Sequence, residues 1–476
     1  MKKNIILAFI IGLSGFAFAQ ENIATQYPEE MYQYGGSGVM GGTARFQGMS
    51  GAMGALGGDL SAMTMNPAGA AVFLRSEAAL TAGVNMSKID LNSNSGSDFS
   101  DSKFNFSQAG GVMIFDELNS ETWKNIAIGL NYQQQNIVNE AITLKPNRVG
   151  QHGNTMTDHY SERYGTSSIT NFTVAANYNN NFYFGGAMNF HSFSADNLEF
   201  ARVNDTRFDE NFRYLKDFSP NSRLGNGISA SLGVIARINQ QLRLGAAYQS
   251  PTWYIDNEEL VTQYGMYSGV DDIGDYYYID RDVLAYLNDL TTSHKFTGSA
   301  ALVIGTNGLI SADYTYTDYS SAKFKPTDSF IGENDFISHA MKGTSTFKVG
   351  GEMRLQDFSL RAGYRYEQTP FEEIQLINVD ETYQPFGDLS GFSIGAGYNF
   401  NDFYIDAAYS FYQRDRNYLI AGNYYDYGGN IDATGISESE ALDYLSFNAG
   451  ESGFAQSVKD ITEKQGNIAL TVGFRF

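Results

Sequence analysis

Regular alternation of apolar and polar residues recurs along most of this chain and constrains its fold more than any other feature. At the C-terminal end, one face carries Ile468, Leu470, Val472, Phe474 and Phe476, and small or polar residues lie between them. A strand with lipid on one side and a lumen on the other has this two-residue period. A soluble sandwich strand shares the period, so the number of repeats decides between the two folds.

Fourteen segments have this pattern, at residues 74–88, 104–115, 122–136, 168–178, 182–193, 225–238, 242–254, 294–304, 308–317, 344–355, 358–368, 389–399, 403–413 and 465–476. Short turns alternate with long polar connections, and the strand number is even, as in bacterial outer-membrane barrels. All eight prolines fall outside the strand interiors. An open sheet edge is not tolerated in lipid. The sequence therefore predicts an all-β fold, a closed antiparallel transmembrane β-barrel over residues 74–476.

The N-terminus and the composition predict export to the cell outer membrane. Lys2 and Lys3 precede an apolar run that ends in the small-x-small tripeptide of residues 17–19, which predicts a signal peptide over residues 1–19. Its removal takes away two lysines and no acid, so the net charge falls from −22 to −24. This charge argues against nucleic acid as a partner. The chain has no cysteine and hence neither disulfides nor a thiolate metal site.

The segment that precedes the first predicted strand needs an enclosure. Residues 35–73 contain eleven glycines and five methionines but only two charges, Arg45 and Asp59. They are too rich in glycine for a stable helix and too apolar for a solvated linker. A fourteen-stranded barrel leaves a lumen wide enough for a small segment. We therefore expect residues 20–73 to plug the barrel, with Arg45 and Asp59 paired or otherwise hydrogen-bonded, because an isolated buried charge is costly.

Three short motifs in this plug resemble a known family. Residues 42–48 (GTARFQG), residues 55–59 (ALGGD) and the tripeptide Asn66, Pro67 and Ala68 are similar to the N-terminal hatch of the FadL/TodX family. The resemblance implies a fourteen-stranded, monomeric outer-membrane transporter of long-chain fatty acids or hydrocarbons, working by passive, hatch-gated diffusion. The terminal Phe476 also resembles the signal by which such barrels reach their assembly machinery. Outer-membrane lipid and a hydrophobic ligand are the other expected partners.

One predicted hairpin contains a candidate ligand site. If the hairpin closes with a two-residue turn, Lys348 faces Arg365 and Glu352 faces Arg361 on the lumen side. Like charges directly opposite each other are destabilising unless an anion lies between them. A fatty-acid carboxylate fits this need, since Arg binds it with two hydrogen bonds. The alternative is an internal acid such as Glu367. The candidate ligand-binding residues are Lys348, Arg361 and Arg365.

Other kinds of function find weaker support in the sequence. We expect no catalytic residue, because the single GxSxG motif lies inside a predicted strand without the strand-turn-helix context of a hydrolase. We expect no cofactor and no metal site, although His152 and His159 share a loop and the acidic residues 271–282 could attract a divalent cation. The alternatives to transport are a haem-binding outer-membrane receptor and a surface interaction protein anchored by its barrel.

Overall fold

The structure is a computed structural model that describes residues 29, 31–33, 41–91, 96–116, 120–145, 155–204, 213–268, 276–375, 382–423 and 453–476. The predicted signal peptide of residues 1–19 lies outside the described residues and stays a prediction. Among the helices of the described residues, none is both long and apolar enough to span a membrane.

Strands make up most of the described chain. They are β1 (Glu77–Leu91), β2 (Gly96–Ser97), β3 (Phe99–Phe115), β4 (Trp123–Leu144), β5 (Thr155–Tyr178), β6 (Phe182–Asn204), β7 (Arg213–Arg237), β8 (Leu242–Gln249), β9 (Trp253–Ser268), β10 (Tyr276–Thr291), β11 (Lys295–Ile304), β12 (Gly308–Asp318), β13 (Lys323–Lys325), β14 (Gly343–Leu355), β15 (Phe358–Glu367), β16 (Ile374–Gln375), β17 (Thr382–Tyr383), β18 (Leu389–Asn399), β19 (Phe403–Asn423) and β20 (Gly453–Arg475). The helices are α1 (Ala44–Gly48), α2 (Ala62–Met65) and α3 (Ile331–Ala340), with 3₁₀ turns at Pro67–Val72 and Tyr319–Ser321.

Fourteen of these strands close into an antiparallel barrel. Around the wall their order is β1, β3, β4, β5, β6, β7, β8, β11, β12, β14, β15, β18, β19 and β20. The last strand pairs with the first, from Glu77 opposite Arg475 to Leu91 opposite Ile461. The predicted fold is therefore confirmed, and each of the fourteen predicted segments coincides with a barrel strand.

Several connections predicted as polar loops are in part strand. The hairpins β4–β5, β5–β6, β6–β7 and β19–β20 run about ten residues beyond the predicted strand ends, into residues 137–167, 194–224 and 414–464. The strand pairs β9–β10 and β16–β17 and the short strand β13 also lie largely in predicted loops. These extensions form β-ladders, but their sequences lack the regular apolar alternation by which the fourteen segments were identified.

The outer face of the barrel is apolar over a limited height, as a membrane requires. On β6, Phe182, Phe184, Met188 and Phe190 are half-exposed, whereas the alternating Asn189 is buried. Exposed apolar side chains on a monomer in water would be unfavourable, but in a bilayer they face lipid. The next outward residue after Phe190 is Ser192, so polar residues mark the outer limit of this belt.

Candidate functional site

The described part of the hatch, residues 41–73, lies inside the barrel and is attached through its Asn66-Pro67-Ala68 motif. The Asn66 side-chain oxygen accepts a hydrogen bond from the backbone N–H of Ala68 at 3.2 Å, and Pro67 begins the 3₁₀ turn that follows. The Asn66 amide nitrogen donates to the backbone oxygen of Gly54 at 2.8 Å and to that of Val234 on β7 at 3.3 Å. One side chain thus caps a turn, ties two parts of the hatch together and connects the hatch to the wall.

The two hatch charges are hydrogen-bonded, but to different partners. Arg45 forms an ion pair with Glu352 of β14 at 2.8 Å and donates to the backbone oxygen of Gly58 at 2.9 Å. Asp59 accepts hydrogen bonds from the Thr43 hydroxyl at 2.8 Å and from the backbone N–H of Ser61 at 2.9 Å. Within the described residues the predicted pair Arg45–Asp59 is therefore replaced by a hatch-to-wall ion pair. The sequence could not reveal this, because Glu352 is 307 residues away.

The Arg45–Glu352 pair belongs to a larger cluster of charges at the hatch. Glu352 also pairs with Arg361 at 2.8 Å and with Arg354 at 2.9 Å, and Arg361 pairs with Asp406 at 2.6 Å. The predicted ligand residue Arg361 therefore has two acids of the barrel as partners, and its role in ligand binding stays a prediction. In the structure Arg361 connects the hatch anchor on β14 to Asp406 on β19, on the far side of β18.

The wall meets the hatch through glycines that point inward. At each of them, a Cβ atom would lie within 3.3 Å of a hatch atom; they are Gly129, Gly185, Gly233, Gly245, Gly350, Gly363 and Gly395. At Gly185 the atom would be 2.3 Å from the Pro67 carbonyl carbon, and at Gly363 it would be 2.4 Å from that of Met49. Because these glycines lie on seven different strands, the hatch backbone is packed against the wall around much of the lumen.

The predicted ligand hairpin has the predicted register but a different charge balance. Lys348 lies opposite Arg365, and Glu352 opposite Arg361. However, Arg365 donates to Glu367 at 2.5 Å, the internal acid that the sequence left open as the alternative. On its other side, Lys348 lies opposite Asp313 of β12. The formal charges of these four residues cancel, while Lys295 adds a third cation that interacts electrostatically with Arg365 and Lys348. The carboxylate site therefore stays a prediction.

The outer half of the lumen contains the earliest described residues of the chain. Met31 and Tyr32 belong to an apolar cluster with Phe371, Phe386 and other residues of the extracellular connections. Tyr32 donates to Glu367 at 2.6 Å, and burial raises the pKa of this tyrosine well above its usual range. Glu29 pairs with Arg163 of β5 at 3.0 Å. The lumen is therefore filled at two levels, by the hatch below and by this outer cluster above.

The wall has a gap between β3 and β4. The β3–β4 ladder runs from the pair Gln108–Gln133 to the pair Phe115–Ile126, and the short β2 pairs with the other end of β4. Between these two ladders, residues 98–107 of the chain do not pair with residues 134–142 of β4. Register shifts leave one extra residue in each strand at this level, Ser107 in β3 and Ile137 in β4. Such bulges bend a strand and end its pairing.

Side chains and the hatch cover this wall gap. Asn139 donates to Asp101 across it at 3.1 Å, and the Lys103 ammonium lies 3.7 Å from the centre of the Tyr164 ring. The start of the hatch reaches the same place, since a Cβ on Gly41 would be 2.6 Å from the backbone oxygen of Gln134. The wall gap is therefore closed by a few polar contacts and not by a β-ladder.

A plugged fourteen-stranded barrel with this geometry has known counterparts. The family model described as outer membrane protein transport protein (OMPP1/FadL/TodX) matches residues 37–441. The chain belongs to the FadL/TodX family.

Solved structures of similar proteins agree with this assignment of the fold. A FadL homologue from Pseudomonas aeruginosa has 16% sequence identity and a TM-score of 0.57, over 92% of this chain and 99% of that chain. The toluene transporters TbuX from Ralstonia pickettii and TodX from Pseudomonas putida have 14% and 13% identity with TM-scores of 0.54 and 0.53, again over 92% of this chain and 99% of each of theirs. No curated protein matches the chain.

For this member of the FadL/TodX family, the wall gap and the acid Asp313 were not predicted from sequence. The gap leaves one trace, because the outward-facing apolar residues change from even numbers, Phe104 and Phe106, to odd numbers, Met113 and Phe115, across the bulge. Asp313 lies on a different hairpin, and only strand order brings it opposite Lys348.

The residues behind the weaker hypotheses lie mostly outside the described structure. His152 and residues 271–275 are not among the described residues, whereas His159 lies on β5. Within the described ranges, no group of three His, Asp or Glu side chains is placed to hold a metal ion. The haem and cation hypotheses therefore receive no further support from the described residues.

Proposed function

We propose that this FadL/TodX family member carries neutral hydrophobic small molecules inward across the outer membrane by passive diffusion, with the wall gap as the exit from the lumen. The observation that carries the proposal is the interrupted ladder between β3 and β4 beside a lumen whose base is filled by the hatch. A molecule that enters from outside meets a hatch packed against inward-facing glycines. The wall gap is closed by side-chain contacts and by the start of the hatch, so opening it breaks no β-ladder.

The charge balance of the lumen supports a neutral cargo. Arg361 and Arg365 are each paired with barrel acids, and Lys348 lies between Asp313 and Arg365 in the register. Binding energy would then come from apolar burial, about 25 cal/mol per Å². Two of the structural relatives are described as toluene transporters, and toluene is an uncharged hydrocarbon. We extend this to the present chain as part of the proposal.

The same proposal covers motion and assembly. The hatch shifts at Gly41 and Gly42, next to the wall gap, while the ion pair between Arg45 and Glu352 stays formed. The barrel works as a monomer in outer-membrane lipid, and Phe476 engages the barrel assembly machinery, as the family resemblance implies.

The proposal is tested by uptake in a Gram-negative host that lacks its own channel for hydrophobic compounds. We expect cells that make the full-length protein to accumulate radiolabelled toluene and hexadecane faster than cells with the empty vector. Uptake of a hydrophilic sugar should not change, which separates a transporter of this kind from a porin. Equal hydrocarbon uptake with and without the protein, or a rise in sugar uptake, would overturn the proposal.

A further inference from the structure

We infer that the cargo carries an uncharged hydrogen-bonding group, a hydroxyl or an amide, and that a sector of amide side chains next to the wall gap binds this group. This inference rests on the proposed function and narrows its class of substrate. The amide sector is formed by inward-facing residues on the four contiguous strands β20, β1, β3 and β4. Its members are Asn85, Asn105, Gln108, Asn131, Gln133, Gln465 and Asn467.

The first observation is the number of buried amide atoms without a hydrogen-bond partner among the described residues. The oxygens of Asn105, Gln465 and Asn467 and the nitrogens of Asn131 and Gln133 are all in this condition. Asn131 is 0% exposed and Asn467 is 2% exposed. A buried polar atom without a partner costs about 1–3 kcal/mol. Five such atoms in one sector of the wall indicate a binding site for another polar group.

The second observation is the location of the sector. Gln133 is in the last pair of the β3–β4 ladder, and Asn105 lies on the stretch of β3 that has lost its ladder partner in β4. Both therefore flank the wall gap. The hatch covers the sector from inside, since Gln47 accepts from Asn467 at 2.5 Å and donates to the backbone oxygen of Gly42 at 2.7 Å. A shift of the hatch at Gly42 would expose the amides to a molecule that leaves through the wall gap.

The third observation is the absence of free charge in the same sector of the described structure. The acid nearest to it on β20, Glu463, pairs with Arg414 at 2.8 Å, and Lys103 on β3 faces Tyr164 and Asp101. A carboxylate would meet no cation here and could donate to none of the three amide oxygens. A hydroxyl or an amide both donates and accepts, so it can satisfy oxygens and nitrogens of the sector together. A plain hydrocarbon would leave all of them without partners.

The inference is tested with three probes of equal chain length: hexadecan-1-ol, hexadecanoate and hexadecane. Partition of each radiolabelled probe is measured between nanodiscs that contain the full-length protein and protein-free nanodiscs, so that bilayer partition cancels. We expect the protein to favour hexadecan-1-ol over hexadecane by about thirtyfold, since one hydrogen bond contributes about 1 kcal/mol and two are available. Hexadecanoate should bind less well than the alcohol.

Variants then locate the effect. In Asn105→Leu/Gln133→Leu, the preference for the alcohol should fall to about that of the alkane while alkane binding is unchanged. Gln249→Leu is the matched control, because it makes the same change on β8, outside the amide sector and away from the wall gap. A folded barrel shows a heat-dependent shift on a gel. If the double variant lacks this shift, the single variant Gln133→Met, which keeps the length of the side chain, replaces it in the binding measurement.

The outcomes separate this inference from the proposed function. If the wild-type protein binds alkane and alcohol equally, or if the double variant and Gln133→Met keep the alcohol preference, the amide sector binds water only and the inference is wrong. Preference for hexadecanoate would also overturn it. In each of these cases the binding of hexadecane still supports the proposed function, whereas a protein that binds none of the probes would contradict both.

Discussion

Arg45 of the hatch and Glu352 of β14 form an ion pair with an Nε–Oε2 distance of 2.8 Å, and this pair connects the plug to the wall. The Glu352 side chain is 1% exposed and that of Arg45 is 17% exposed. Removal of one partner from a buried ion pair leaves an uncompensated charge. The pair therefore fixes the position of the hatch in the lumen. It contributes less to the stability of the barrel, because the β-ladders of the wall form without it.

We expect Arg45→Met to loosen the hatch by about 1.5–3 kcal/mol, the contribution of a hydrogen bond to a charged group, because Glu352 keeps Arg361 and Arg354 as partners. Amide hydrogen exchange in residues 41–73 should become faster, while the strands keep their protection. Arg354→Met is the matched control, since this arginine also pairs with Glu352 but its side chain is 53% exposed. Equal protection of the hatch in Arg45→Met and wild-type protein would contradict the anchoring role.

The inward-facing glycines give a second prediction about the hatch. Gly185→Ala places a Cβ 2.3 Å from the Pro67 carbonyl carbon, and Gly363→Ala places one 2.4 Å from that of Met49. Neither backbone atom can move aside alone, so each variant should displace the hatch and destabilise its docked position by about 1–3 kcal/mol. Gly298→Ala on β11 is the control, because nothing lies within 4 Å of its Cβ. Cells that make the first two variants, but not the third, should become sensitive to an antibiotic that intact outer membranes exclude.

The fold was predictable from this sequence because a membrane barrel imposes its period on every strand. The pairing of Lys348 with Arg365 and of Glu352 with Arg361 follows from one turn and is correct. Contacts across the lumen were not predictable in the same way. Glu352 meets Arg45, and Lys348 meets Asp313, only because the barrel closes and the hatch enters it. Local register is thus encoded in nearby residues, whereas the balance of charge depends on strand order.

The wall gap can be tested with a reversible staple, because the chain has no cysteine of its own. The side chains of Asp101 and Asn139 already meet at 3.1 Å across the gap. In Asp101→Cys/Asn139→Cys, oxidation with a short dithiol that bridges the two sulfurs should abolish hydrocarbon uptake and reduction should restore it, because the 3.1 Å contact joins atoms that lie beyond the Sγ positions. Thr297→Cys/Thr315→Cys joins two paired strands elsewhere, where the hydroxyls are 3.0 Å apart, and should leave uptake unchanged in both states. Full uptake by the oxidised gap variant would show that the cargo leaves by another route.

The neutral charge row predicts a gain of function. Glu367→Gln removes the acid that pairs with Arg365 at 2.5 Å and leaves the row with one net positive charge beside Lys348. We expect this variant to bind hexadecanoate about tenfold or more tightly than the wild type, since a hydrogen bond to a charged group contributes about 1.5–3 kcal/mol. The double variant Lys348→Met/Glu367→Gln should return to the wild-type level. No gain in Glu367→Gln would mean that the row is not reached by the cargo.

The last prediction concerns pH and the hatch carboxyl of Asp59. Burial raises the pKa of this group above its usual range, although Arg45 and the hydrogen bonds from Thr43 and Ser61 oppose the shift. A carboxyl whose pKa is higher in the folded state stabilises the docked hatch most at low pH. That contribution is fully present below the unfolded value of about 3.9 and is lost as the pH rises through the raised folded pKa.

Protection of residues 41–73 against hydrogen exchange, corrected for the intrinsic rate, should therefore fall from pH 4 towards pH 7. In Asp59→Asn the side chain stays neutral and can still accept from the backbone N–H of Ser61, so its protection should not depend on pH in this range. Arg45, Asp406 and Glu77 are among the charged groups that interact with Asp59, and the Asp59→Asn variant separates the titration of Asp59 from theirs. Protection that rises with pH in the wild type would mean that the hydrogen bonds and Arg45 outweigh burial, and that the ionised carboxylate is the form that docks the hatch.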